Sequence, residues 1–485
     1  MVKKRVLIIG NHLIKDDIIQ QYQLKGYDVV LEDDSSGFYD EIFLLSDLSI
    51  RESLDADYEI LAQITSVVNN IKVEDTNNKV RCHLLVRSVN TLRQLQTVDF
   101  CSSIKDILDV YPFALEEVWS RNIVFDYKPI TIQSERYVHL VIFGMGEMAE
   151  IVALHAAQVA HFPNYIRDHS LRTRITMIDV DAEKMSEEFV RKYQYLFDNS
   201  FYRIVRPSDE KSVIKFHRPV SDGSREDFVD VEWEFVEACS WNAELREKLH
   251  LWASDENQLL TVVIAFDDVN KNQSEALLLP QELYHQSIPI HVFGQHSISY
   301  DITLPLVRMA KNVNYIYDKC YQENVEDWCG YMRYSVEIDK RERDKSWSRL
   351  SNVKRLSSIY NAMTIPSKMR SVGLSESDWE NFYDIPQQDI ELLAQVEHNR
   401  WCVEELISGY RPCTDEEFKI IEADVATQKD VYKSKKIHYD LRAYNDLRPD
   451  KTGRGVQVYD LCLSSCLPLI AKAFADEEGG RNEGK

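Results

Sequence analysis

Long apolar runs, cysteines at ligand spacing and positive charge are all scarce in this 485-residue chain. No stretch approaches the roughly 20 apolar residues that span a bilayer, so direct membrane insertion is not expected. The nine cysteines include no Cys-x-x-Cys pair and no Cys/His set at zinc spacing, and no metal site is expected. Cys462 and Cys466 stand four apart in a helical pattern, which suits core packing. Only 57 Lys and Arg face 80 Asp and Glu, a formal charge of −23. That balance argues against a nucleic-acid partner and against anionic membrane surfaces. Catalytic signatures are missing too: no Gly-x-Ser-x-Gly, no Gly-x-x-x-x-Gly-Lys, no His-Glu-x-x-His. What is left is an ordinary globular balance, 44% hydrophobic and 28% charged, with length for about three domains. The short apolar stretch after Met-Val-Lys-Lys-Arg reads as a first strand and not as a leader, so a reduced, cytoplasmic, soluble protein is expected.

The most informative stretch that is present runs Val138-His-Leu-Val-Ile-Phe-Gly-Met-Gly-Glu-Met-Ala149. A run of β-formers ends in Gly-x-Gly-x-x-Ala and passes into a helical pattern over 147–161. Strand, glycine turn and helix in that order make the βα unit that holds a phosphate on backbone N–H groups. Gly144 permits the turn, Gly146 the approach of a phosphate, and Ala149 close packing of the helix. The cofactor site expected here comprises Gly144, Met145, Gly146, Glu147 and Met148, with Asp179 or Asp181 on the ribose. An acid at that place favours NAD or another adenine nucleotide over a 2′-phosphorylated one.

The fold class is read as α/β: two Rossmann-like doubly wound parallel sheets followed by a small all-α domain. Residues 1–130 carry strand patterns at 5–10, 27–31, 41–45 and 82–87 and a helix at 16–25. Their first turn is Gly10-Asn11-His12, so this unit is expected as a degenerate copy of the nucleotide fold. After a linker at 127–136, the second unit, 137–325, has strands at 138–143, 174–180, 229–236, 259–266, 288–293 and 312–317. Helices are expected at 147–161, 242–253 and 273–284. Residues 181–228 are charged and aromatic without strand pattern, and are expected as an inserted lid. Residues 340–475 are wholly helical in pattern, and 476–485 read as a disordered tail.

The helix expected over 389–408 has Leu392, Val396, Val403 and Ile407 in one sector and His398, Trp401 and Glu405 in the opposite one. Such a helix is either buried on both sides or lines a pocket. Arg400 stands at helical spacing from both Glu397 and Glu404.

The run Glu397-His398-Asn399-Arg400-Trp401, then Gly409-Tyr410, then Lys436-Ile437-His438-Tyr439-Asp440-Leu441-Arg442-Ala443-Tyr444-Asn445-Asp446-Leu447, resembles the RyR domain. That helical module is repeated in ryanodine receptors and occurs in bacterial proteins. Tyr410 stands where the module commonly has Trp, and Ala443 where it has Pro. Trp347, Ala362, Lys368 and Gly373 are similar to the lead-in of bacterial versions. The upstream part resembles the RCK/TrkA-N nucleotide-binding domains of potassium-transport regulators, through Gly144, Gly146 and the strand order. His398, Arg400, Trp401, Tyr410, His438 and Tyr444 are the module's candidate ligand residues. Its aromatic residues suit the stacking of a base, and equally a small core.

The function expected is a nucleotide-binding sensor or regulator, bacterial and homodimeric, with a small-molecule nucleotide at the Gly144 turn. Two alternatives stand beside it. An NAD-dependent oxidoreductase would use His291 or His296 as its general acid. An RCK-like regulatory subunit would have a membrane transporter as partner. No catalytic residue is assigned.

Overall fold

The structure, a computed structural model, describes residues 4–31, 37–71, 79–97, 100–123, 129–207, 213–219, 227–294, 303–322, 338–374, 386–448 and 456–475. The tail at 476–485 and His296 lie outside these residues. The chain divides into two compact units. Of the described residues, the first holds those up to Asn122 together with Lys345–Leu356, and the second holds the others from Ile123 onward.

Apolar residues on both faces of successive strands call for helices on both sides, and the first unit is built that way. Its strands β1 (Arg5–Gly10), β2 (Asp28–Leu31), β3 (Glu41–Leu45), β4 (Val80–Leu85) and β5 (Leu108–Phe113) are all parallel. On one face Val6, Ile8 and Phe43 pack with Ile18 and Tyr22 of helix α1 (Lys15–Leu24). On the other, Leu7, Ile42 and Leu44 pack with Ile60, Ile64 and Val67 of α2 (Ser53–Asn70). The strand order is β2-β1-β3-β4-β5. Trp347 is fully buried in this unit and its indole Nε1 donates to the Tyr111 hydroxyl at 3.0 Å. Arg355 pairs with Asp109 at 2.7 Å. Residues 345–356 therefore belong to the first unit, and not to a helical domain beginning at 340.

The second unit carries β6 (Tyr137–Phe143), β7 (Thr173–Asp179), β8 (Phe201–Val205), β9 (Val213–His217), β10 (Val231–Glu237), β11 (Gln258–Ile264) and β12 (Ile290–Val292). They order as β12-β11-β6-β7-β10-β8-β9, parallel except for β9. Without β8 and β9 this is the doubly wound order 3-2-1-4-5, which reverses direction between β6 and β11. The expected α/β class holds for both units, whose strand orders differ.

Helix α3 (Glu147–Val159) follows the glycine turn and is buried from Met148 to Gln158 except at Glu150. Its small residues Ala149, Ala153, Ala156 and Ala157 let neighbours approach closely. The segment expected as a lid instead forms α4 (Ala182–Lys192), α5 (Gln194–Asp198), β8 and β9. Phe189, Leu196 and Phe197 are buried, and Phe197 packs on Trp233 of β10 at 5.1 Å between ring centroids. Phe189, Tyr193, Phe197 and Tyr202 extend the sheet's core, while Phe216 of β9 is exposed, so the described part of this segment is packed structure and not a lid. Helix α6 (Ala243–Ser254) keeps its expected place, but the single helix expected over 273–284 is two, α7 (Val269–Leu278) and α8 (Gln281–His285), separated at Leu279-Pro280. The strand expected at 312–317 lies inside α9 (Thr303–Gln322).

The remaining helices include α10 (Asn352–Ser371), α11 (Gln387–Ile407), α12 (Val425–Ser434) and α13 (Gln457–Ser465). Helix α11 packs against α3, α5 and α13. The helical region thus shares one unit with the second sheet rather than forming a separate third domain.

Candidate functional site

The two places expected to bind a ligand have opposite geometries. At the glycine turn, Gly144 adopts φ +112°, and its N–H donates to Ile178 at 2.8 Å. Gly146 caps α3, whose first N–H groups would face a phosphate. Those donors are already taken. The Asp267 carboxylate accepts from Met148 N at 3.0 Å and from Glu147 N at 3.3 Å. A Cβ on Gly146 would lie 2.2 Å from Asp267 Oδ2. The freedom Gly146 provides is used by the protein's own carboxylate, which follows β11 at the point where the strand order reverses. Of the phosphate seat expected at Gly144, Met145, Gly146, Glu147 and Met148, the Glu147 and Met148 N–H groups are thus engaged by Asp267.

The neighbouring strand ends add negative charge. Asp179 is half-buried and accepts from Asp181 N at 3.3 Å, while Asp181 is exposed at the start of α4. Glu237 accepts from Glu183 N at 3.1 Å and pairs with Arg206. A pyrophosphate here would have to displace one carboxylate and sit among others. His291, on the sheet-edge strand β12, is half-buried, and burial lowers its pKa, which makes it a neutral ring.

The second place is a cavity of about 300 Å³ in the helical region. Helix α11 contributes His398 and Trp401, and the segment after α12 contributes His438 and Asp440. Tyr317 and Tyr321 come from α9, Tyr459 and Asp460 from α13. Lys429, Asp430 and Lys433 of α12 line the cavity together with its first residues, Val425 and Ala426, and Val456 closes it beside α13. The rings are in contact: Trp401 meets His438 edge to face at 4.9 Å, and Tyr459 lies 5.4 Å from Tyr317. Among the expected ligand residues, His398, Trp401 and His438 converge on this cavity. Tyr410 backs it by packing on the His438 ring at 5.8 Å, and Tyr444 by packing on His398 at 5.8 Å.

Arg400 does not reach the cavity. It is fully buried, binding Glu397 at 2.8 Å and Glu404 at 2.6 Å, so both partners at helical spacing are used. Lys368 of α10 completes the cluster against Glu397, and Ser357 donates to Glu404. Burial opposes charge on Glu397, but Arg400 and Lys368 outweigh it and hold the pKa down at about 2. This cluster fixes α11 on α10.

Two histidines of the cavity wall are in different states. Burial disfavours charge on His398, but the Cys402 sulfur and the Asp460 carboxylate against its ring hold the pKa well above the ordinary histidine value. Its Nε2 donates to the Arg442 carbonyl at 2.8 Å. His438 is the reverse case: burial lowers its pKa to about 3, so the ring is neutral. Its Nδ1 accepts from the Asp440 backbone N–H at 3.2 Å, which leaves the ring proton on Nε2. Asp440 Oδ2 pairs with Lys429 at 2.6 Å. His438 Nε2 and Asp440 Oδ1 are buried without a hydrogen-bond partner among the described residues.

Reasoning from sequence missed Tyr317, Tyr321, Lys429, Lys433, Asp440, Tyr459 and Asp460. The i, i+4 pairs Tyr317/Tyr321 and Lys429/Lys433 were the available signals, each placing two like side chains on one helical face.

The fold and the site together define an α/β protein with two parallel sheets, one of them continued by a helical region that encloses an aromatic cavity. No protein-family model matches the chain, and no curated protein does. Among solved structures the chain is similar to NtrX from Brucella abortus in complex with ADP, at 10% identity over 89% of this chain and 99% of that one. The TM-score is 0.13, and a likeness of that size carries no argument. Among the described residues no helix is long and apolar enough to cross a membrane.

Proposed function

We propose that the protein is a ligand-sensing regulator whose ligand, an adenine-class nucleotide, binds in the helical cavity and not at the Gly144 turn. The observation that carries this reading is the convergence of Trp401, His398, His438 and three tyrosines around one space with two lysines on its wall. Aromatic side chains stack on a base and contribute roughly 1–3 kcal/mol per base. The cavity sits at the small end of the range for ligand pockets, roughly 300–1,000 Å³. Lys433 makes no ion pair among the described residues, and an ammonium in that position suits a phosphate.

The regulatory half of the proposal rests on α11. One rigid helix carries His398 and Trp401 into the cavity wall and packs along α3 behind the second sheet. A ligand with different affinity for two positions of α11 would shift the population between them.

Calorimetric titration of the full chain with AMP, ADP, ATP, NAD, ADP-ribose and cyclic AMP tests the reading. We expect at least one of these to bind. Its affinity should fall about tenfold to a hundredfold in Trp401→Ala, as loss of a stacking platform predicts. Asp179→Ala should leave it unchanged. Binding that survives Trp401→Ala but is lost in Asp179→Ala would move the site back to the glycine turn, and no binding at all would end the proposal.

A further inference from the structure

The seam between α9 and α13 brings two cysteines together inside the second unit. Tyr317 of α9 lies on Tyr459 of α13, the ring centroids 5.4 Å apart. Cys320 follows Tyr317, and Cys462 follows Tyr459, at the i, i+3 spacing that keeps side chains on one helical face. The faces that meet at the tyrosines therefore also carry the cysteines. Their sulfurs stand 2.8 Å apart, and both residues are in the thiol form. Cys320 Sγ also lies 3.8 Å from the carbonyl of Val458, on the same helix as Cys462. Both cysteines are fully buried. The residues beside them, Tyr321 next to Cys320 and Tyr459 and Asp460 just before Cys462, line the cavity.

We propose that Cys320 and Cys462 form a reversible disulfide site that ties the α9 wall of the cavity to the α13 wall. The oxidant is a peroxide. One thiol gives up its proton and its sulfur attacks a peroxide oxygen; the O–O bond breaks, the other oxygen leaves with that proton as water, and the cysteine becomes a sulfenic acid. The second sulfur attacks the sulfenic sulfur, the S–S bond forms, and the sulfenic oxygen departs as water with the second thiol's proton. Two thiols and hydrogen peroxide thus give a disulfide and two waters. Cys320 lies in the last turn of α9, next to the exposed Tyr321, and helix ends open more readily than helix centres. That opening admits a molecule as small as hydrogen peroxide. The bond would join residues 142 apart in the chain, and a long closed loop removes much freedom from the unfolded state. It does not depend on what occupies the cavity, so the nucleotide reading and the disulfide stand or fall separately.

The experiment treats the full chain with hydrogen peroxide, quenches it, denatures and alkylates it, and maps its peptides by mass spectrometry, with fragmentation assigning each bonded sulfur. The exposed Cys101 serves as the comparison. We expect Cys101 to oxidise first, and the Cys320–Cys462 bond to be the cross-link that then accumulates, both sites leaving the alkylatable pool together. Dithiothreitol should return both together. The thermal midpoint of the cross-linked chain should rise and should fall back on reduction, and Cys320→Ala should show no such rise. Mapping needs only the unaltered chain, so the test does not hang on a variant folding. Oxidation of Cys101 while Cys320 and Cys462 stay fully alkylatable overturns the proposal, as does a preferred bond from either to another cysteine. A bond that forms without moving the midpoint overturns the tie between the walls.

Discussion

Glu41 and Glu405 are both carboxylates at least partly withdrawn from water, and their surroundings move them in opposite directions. Burial alone would raise Glu41, but His83, Arg81 and the Tyr22 hydroxyl hold it at about 2. The folded first unit then binds fewer protons than the unfolded chain between pH 2 and the ordinary glutamate value of 4.5. Its stability is complete above 4.5 and declines as pH falls through that window, by about 3 kcal/mol at the outside. Glu405 has its Oε2 buried without a partner among the described residues; burial, then the charge of Glu404, raises it to about 7. Here the folded state binds more protons between 4.5 and 7, so stability falls as pH rises through that interval, again by about 3 kcal/mol at most. Urea denaturation read by hydrogen exchange on separate peptides checks both. Glu41→Gln should flatten the acid limb in peptides of the first sheet while lowering their stability at pH 7. Glu405→Gln should remove the decline that α11 peptides show between pH 4.5 and 6, below the range in which His398 on the same helix contributes. A limb of the wrong sign in either peptide set defeats the corresponding assignment.

At the scale of elements, the N-terminus of α3 explains why a good motif does not leave an open phosphate seat. The strand, turn and helix were legible because β-formers, glycine and alanine act locally, and all three form where the pattern places them. Asp267 was not legible, because it stands 119 residues beyond Met148 and reaches the turn only once β11 pairs with β6. Asp267→Ala should cost the second unit about 1 kcal/mol, the worth of a charged cap at a helix start, measured by denaturant midpoint. An unchanged midpoint would mean that the carboxylate merely rests there. Helix α11 is the converse case. Its stripe of Leu392, Val396 and Val403 opposite His398 and Trp401 allowed either double burial or a pocket, and the helix does both. The strand expected at 312–317 failed because Val313, Tyr315 and Tyr317 alternate over a stretch too short to separate the two periods. In α9 the same residues divide between core and cavity, with Val313 buried and Tyr317 on the cavity wall. The segment expected as a lid at 181–228 differs for a related reason: Phe189, Tyr193 and Phe197 in its helical stretch and Tyr202 on β8 are buried, a mixture of helical and strand spacings that no single period reveals.

At the scale of the whole molecule, each unit has its own apolar clusters and its own buried ionic hub, Glu41 in the first and Glu397 with Arg400 in the second. The cavity lies wholly within the second. A ligand that binds only the folded cavity stabilises that unit by mass action, by about 2.7 kcal/mol at a hundred times its dissociation constant. Hydrogen exchange with the best ligand of the titration series should therefore protect peptides from α9, α11, α12 and α13, the four helices that form the walls. The regulator reading adds a sharper demand. Because α11 packs along α3, protection should also reach peptides 147–159, although no atom of that helix lines the cavity among the described residues. Trp401→Ala should abolish both effects together. If the wall helices gain protection while α3 does not, the chain binds its ligand without passing the event to the sheet, and the protein is a binder and not a sensor.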